Sequence, residues 1–94
     1  MSGPKIHLNG YLDVPLERWD AVLDALPLHI ELTKGEVGCL KFDVTPSDET
    51  PNRLMVSETF IDKAAFDHHN TRAKASVWAD VTAGIAREFN ITEE

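Results

Sequence analysis

GCLKFDVTPSDETPNRLMVSETFI, residues 38–61, decides the fold. Across 38–45 the side chains alternate. Leu40, Phe42 and Val44 take one face, and Cys39, Lys41, Asp43 and Thr45 take the other. Arg53 to Ile61 repeats the pattern, with Leu54, Val56, Glu58 and Phe60 on one face. Alternation of period two is the mark of a half-buried strand. PSDETPN (46–52) between them is polar and holds two prolines, which makes it a surface loop. Two such strands joined by a short loop predict a hairpin.

Toward the N-terminus, KIHLNGYL (5–12) alternates as well, with Ile6, Leu8, Gly10 and Leu12 on one face. Asp13-Val14-Pro15 then reads as a helix start. Asp13 is placed to accept from free N–H groups, and proline is tolerated in a first helical turn. Leu16, Trp19, Leu23 and Leu26 follow at helical spacing. Pro27 predicts a kink or a fresh start, and LHIELT a short second helical segment ending near Gly35. Toward the C-terminus, Asp62 is a plausible cap for a long helix over 65–85, and Arg87 to Thr92 predicts a short last strand.

The order is β-α-β-β-α-β, so the fold class expected is α+β, a ferredoxin-like antiparallel sheet with both helices on one face. With 94 residues the chain, 1–94, reads as a single domain with a marginal core. Its helix-free sheet face lacks a cover, and a second copy of the chain is the obvious one. A net charge of −7 argues against nucleic acid and anionic membrane surfaces as partners. One cysteine, no apolar leader and no membrane-length apolar run predict a cytoplasmic protein.

HIELTKGEVGCLKFDV (29–44) and VSETFIDKAAFDHHNTRAKASVWADVTAGIAREFNI (56–91) resemble the antibiotic biosynthesis monooxygenase superfamily. The resemblance rests on E-x-G-C-L-x-F entering the second strand, E-T-F ending the third, and A-F-x-x-H opening the long helix. It implies a homodimeric α+β barrel in which two sheets pack face to face. It also implies, for the members that are enzymes, oxidation of phenolic, quinol or anthrone-like aromatics by O₂ without metal or flavin cofactors. The haem-degrading branch places an iron-ligating histidine thirteen residues after the helix phenylalanine. Here that phenylalanine is Phe66 and the position holds Ala79. The first-strand asparagine of that branch has Asn9 nearby, but a gap-free match lands on Gly10.

Two residues are the catalytic candidates. A helix turns about 100° per residue, which puts His69 about 60° from Phe66, at the edge of an apolar stripe of Phe66, Ala73, Val77 and Gly84. His68 falls on the solvent side. His69 also fills the histidine place of A-F-x-x-H. It can bond a substrate oxygen or act as a base; it can equally be a packed interface histidine. Glu58 lies among apolar neighbours, where a carboxylate is paired, hydrogen-bonded or protonated. Desolvated, it could take a proton from a phenol; alternatively it pairs with a cation at the sheet end.

The substrate-binding candidates are His29, Phe66, Trp78, Trp19 and Asn9. His29 matches the family stretch H-x-x-x-T-x-x-E-x-G-C, although it could instead bond a carbonyl left open by Pro27. The two indoles could stack on a flat substrate or serve as core. Asn9 and Tyr11 point to the sheet's polar face. Cys39 reads as a small buried side chain. No metal is expected, because adjacent histidines diverge and no H-x-x-x-H or C-x-x-C occurs. The leading expectation is a cofactor-independent monooxygenase acting on a small aromatic substrate and O₂. The alternatives are a non-catalytic dimeric module for small-ligand binding or stress response, and a cofactor-free isomerase.

Overall fold

The computed structural model describes residues 3–94. Strand β1 (Ile6–Asp13) leads through a 3-10 turn (Leu16–Arg18) to helix α1 (Trp19–Lys34). Strands β2 (Cys39–Pro46) and β3 (Arg53–Phe60) form the hairpin, followed by α2 (Lys63–Lys74), α3 (Val77–Val81) and β4 (Ala86–Glu93). All pairings are antiparallel, in the order β2-β3-β1-β4. This is the α+β, ferredoxin-like arrangement anticipated from the alternation.

The register confirms which side chains turn inward. Leu8 stands opposite Glu58, and Leu12 opposite Leu54. Phe42 stands opposite Glu58 from the other side, and Val44 opposite Val56. These residues, with Ile6 and Phe60, form the buried face together with Val22, Leu26 and Phe66 from the helices. Leu40 departs from the expected pattern. A bulge between Cys39 and Lys41 leaves it unpaired and 53% exposed, while Cys39 moves to the register of Phe60 and packs on the core. An extra residue in one strand reverses the facing of what precedes it.

The helices differ from expectation in three places. Asp13 caps nothing; it ends β1 and receives both Nε–H and an Nη–H of Arg53 at 2.7 and 3.0 Å. Pro27 does not divide α1. Its ring lies on the exposed side, while Val22, Leu26, His29 and Thr33 recur at spacings of four, three and four on the buried side. The apolar stripe therefore carries the helix through the one missing backbone bond. The predicted long second helix is two. Ser76 donates to the Ala73 carbonyl at 2.6 Å and accepts from Ala79 N–H, ending one helix and capping the next. Serine competes in this way with the helical ladder. Val77, expected inside, is consequently 60% exposed. Asp62 does cap α2, accepting from Ala65 N–H at 2.8 Å.

Gly84, at φ +74, turns the chain from α3 into β4. Strand β4 lies beside β1 with no helix packed closely over it. Phe89 pairs with Gly10, and its ring closes over the bare glycine. No described helix is long and apolar enough to cross a membrane.

Candidate active site

Because α1 packs on β2 and α2 on β3, and neither extends over β4, a gap remains between the sheet and the helix layer. It is a cavity of about 360 Å³, of the size that takes a small ligand. Leu8, Phe42, Val56 and Phe66 give it apolar walls, and Phe89 and Ile91 of β4 form its outer side. His29, Glu58 and His69 all border it.

Glu58 arrives there by strand parity, the same alternation that buries Leu54 and Val56. It is 8% exposed and has no hydrogen-bond or ion-pair partner among the described residues. Burial, and then the charge of Glu36, pushes its carboxyl up to about 7. Removal of a charge from water is the dominant cause, and it holds the proton on the acid into the neutral range.

His69 reaches the same space from α2, one turn after Phe66. Its Nδ1–H donates to Glu36 Oε1 at 2.9 Å. The second carboxylate oxygen of Glu36 accepts Nε–H of Arg72 at 2.6 Å, and Arg72 donates further to Thr33 Oγ1 at 3.0 Å. Thr33 in turn donates to the His29 carbonyl at 2.7 Å. The Glu36 side chain is 7% exposed, so this network ties the end of α1 to α2 inside the protein. Burial lowers the pKa of His69, against the opposing pull of Glu36. A neutral imidazole that donates through Nδ1 carries its lone pair on Nε2. That nitrogen has no partner among the described residues.

His29 lies flat on Trp78, with centroids 4.7 Å apart and planes at 6°. Its ring also meets Phe42 edge-on at 5.3 Å and lies 6.0 Å from His69. Burial first, then His69 and Arg72, pulls its pKa down to about 4. Its Nδ1 is buried with no partner among the described residues, so it does not bond a carbonyl freed by Pro27.

His69, Glu58, His29, Phe66 and Trp78 thus converge on one cavity. Trp19 and Asn9 do not join them. Trp19 packs against the core from the start of α1, away from the cavity lining. Asn9 is exposed on the opposite face of the sheet, where Ser57 Oγ–H donates to it at 3.0 Å. Asn9 stands on the polar face that its strand parity predicts, and that face is remote from the cavity. Glu36 and Arg72 are functional candidates that local reading passes over. The only signal for Glu36 was its place in E-x-G-C. Among the described residues no three His, Cys, Asp or Glu side chains are grouped to hold a metal ion.

The antibiotic biosynthesis monooxygenase family model matches residues 5–81, which includes every polar residue of this site. The chain belongs to the antibiotic biosynthesis monooxygenase family. No curated protein matches it significantly. Among solved structures, one from Nitrosomonas europaea superposes with a TM-score of 0.84 at 22% identity, over 100% of this chain and 93% of that one. Its own assignment as an antibiotic biosynthesis monooxygenase is unproven. A conserved protein of unknown function from Bacteroides thetaiotaomicron gives 0.78 at 16% identity, over 99% and 100%. MupZ from Pseudomonas fluorescens gives 0.77 at 17%, over 97% and 71%. At such identities the likeness shows the fold alone.

Proposed function

We propose that the chain is a cytoplasmic, cofactor-independent monooxygenase that oxidises a phenolic, quinol or anthrone-like aromatic with O₂. The observation that carries this reading is Glu58: a carboxyl brought to about 7, without a partner, in an apolar cavity that also presents His69. A base with a pKa near the working pH is best placed for proton transfer. The flat His29–Trp78 pair and Phe42 suit an aromatic substrate.

In the proposed reaction Glu58 takes the proton of the substrate's acidic O–H or C–H. His69 Nε2 accepts a hydrogen bond from a substrate hydroxyl and fixes the ring's orientation. The substrate anion passes an electron to O₂, and the two radicals join as a peroxide. Glu58 returns its proton to the distal peroxide oxygen. Loss of water then leaves a carbonyl, so one oxygen atom ends in product and one in water. Within the family resemblance, the helix-free face of the sheet is the proposed contact of a homodimer.

Oxygen uptake with a panel of quinols and anthrones tests the reading. Uptake above the spontaneous rate, lost in Glu58→Gln, is expected. No uptake with any member would refute it, and turnover of a carbonyl substrate without oxygen consumption would point to an isomerase using the same groups.

A further inference from the structure

The charges around the cavity have a distribution that the proposed oxidation does not require. The chain carries 16 acidic and nine basic side chains. Five cations, Lys5, Lys41, Arg53, Lys63 and Arg72, pair with carboxylates. Among the described residues the other four, Arg18, Lys34, Lys74 and Arg87, meet no carboxylate. Two of those four, Lys74 and Arg87, border the cavity, and among the described residues the only acid in its lining is Glu58. In so acidic a protein, two cations left without carboxylates around one cavity, one from the end of α2 and one from β4, are a local reversal of sign.

Arg87 is also held in position. Its Nε–H donates to the Ile85 carbonyl at 3.1 Å and one Nη–H to the Thr82 carbonyl at 2.6 Å. The other terminal nitrogen has no protein partner among the described residues. A guanidinium anchored through one edge and free at the other is arranged to receive an oxyanion. Lys74, at the end of α2, supplies a second and more mobile positive charge. Deeper in, the buried Nδ1 of His29 is a polar atom without a partner, which a bound molecule would satisfy.

We infer that the substrate is an amphiphile: an aromatic body bearing an anionic group, carboxylate or phosphate, that Arg87 and Lys74 hold at the cavity mouth while the reacting end reaches His29, Glu58 and His69. The inference rests on the proposed aromatic chemistry for the body of the ligand and adds the charged end. The net charge of −7 repels anions at long range, but salt screens it beyond about 8 Å at physiological ionic strength. Contact with the two cations then decides affinity. A neutral analogue forfeits those contacts but is spared the desolvation of an anion, so the measured gap is the net of the two.

The test is binding without turnover. Calorimetric titration under argon compares 6-hydroxy-2-naphthoic acid, its methyl ester and 6-hydroxy-2-naphthyl phosphate. The acid is expected to bind about tenfold more tightly than the ester, the scale of a charge-assisted contact. The phosphate distinguishes the two anion classes: preference for it over the acid assigns a phosphate ligand, and the reverse a carboxylate. The Arg87→Gln, Lys74→Gln double variant should abolish the acid's preference over the ester, and because Arg87 also braces the Ile85 and Thr82 carbonyls, its thermal melt reports separately that the fold survives. Should the double variant not fold, Lys74→Glu alone must narrow the gap at least severalfold. Equal binding of acid and ester by the native chain overturns the inference, as does a gap that survives the substitutions. Oxidation of the ester with no preference for the acid would overturn this inference alone. Acid-selective binding with no oxygen uptake would instead remove the proposed reaction and keep the anion site.

Discussion

Glu58→Gln should make the protein more stable while abolishing its proposed activity. Glutamine keeps the shape of the side chain and removes the ionisable group. In the unfolded chain this carboxyl titrates near 4.5, and in the folded one near 7. Between those values the folded state binds more protons than the unfolded, so stability falls as pH rises. The penalty is absent below 4.5 and complete above 7. At about 1.36 kcal/mol per pH unit the gap is worth about 3 kcal/mol. The residue is 8% exposed, so solvent screening takes little from that figure. For a domain of this size it corresponds to a rise in Tm on the order of 10–20 °C. The assay is a pair of thermal melts, native and variant, from pH 4.5 to 8.5. Taking the difference cancels the titration of His29, which runs in the opposite sense. The two proteins should melt together at pH 4.5, and the variant's advantage should grow through neutrality and level off above it. A variant no more stable than the native chain at pH 8 would mean that Glu58 is solvated or paired, and the case for it as a base would fall with that result.

Four further outcomes follow from the same geometry. Glu36→Ala strands Arg72 and the Nδ1–H of His69; breaking a buried ion pair costs about 3–5 kcal/mol, and partial exposure of Arg72 puts this case near the lower end, measurable by urea unfolding at pH 7. His29→Phe keeps the ring against Trp78 and deletes the unpartnered nitrogen, so it should stabilise by about 1–3 kcal/mol in the same assay. Because burial depresses His29 to about 4, the native chain should lose stability as pH falls from 6.5 toward 4, and melts of His29→Phe should show a shallower acid limb. Gly10→Ala would drive a methyl group into the Glu88 carbonyl oxygen and to 2.7 Å from the Phe89 ring, costing about 1–3 kcal/mol and loosening β4, which amide exchange over 86–93 would register.

The strands were legible because alternation is a local signal with few ways to be satisfied. It placed Glu58 on the buried face, against the ordinary preference of a carboxylate. Leu40 defeated it, since an extra residue in a strand changes no local composition. Helix ends were harder. Asp13 has the chemistry of a cap, but Arg53, forty residues away in sequence, claims its carboxylate. Pro27 has the chemistry of a break, but the buried stripe on the other side of α1 outweighs one lost backbone bond. Ser76 looks unremarkable within a helical pattern until its hydroxyl is seen taking the place of a ladder bond. At the site, the single residues His69, Glu58 and His29 could be picked by facing and chemistry. The Glu36–His69–Arg72 network could not, because its members lie 33 and 36 residues apart and meet only after α2 comes up against the turn that follows α1. Trp19 failed for a related reason: an indole on the apolar side of a helix can meet core or cavity, and only the ends of α3 and β4 decide which.

Strand β4 has a consequence for how the cavity is reached. It contributes Phe89 and Ile91 to the outer side, yet it is secured along one edge only, by β1, without a helix across it. Segments with few buried contacts open locally at a fraction of the global unfolding free energy. Local opening of the last strand beyond the anchored Arg87 would therefore widen the chamber from the side without disturbing the helix layer. A molecule lodged inside would in return hold that strand in place. Occupancy should then read out as slowed amide exchange in the C-terminal residues before it is visible anywhere in the hairpin.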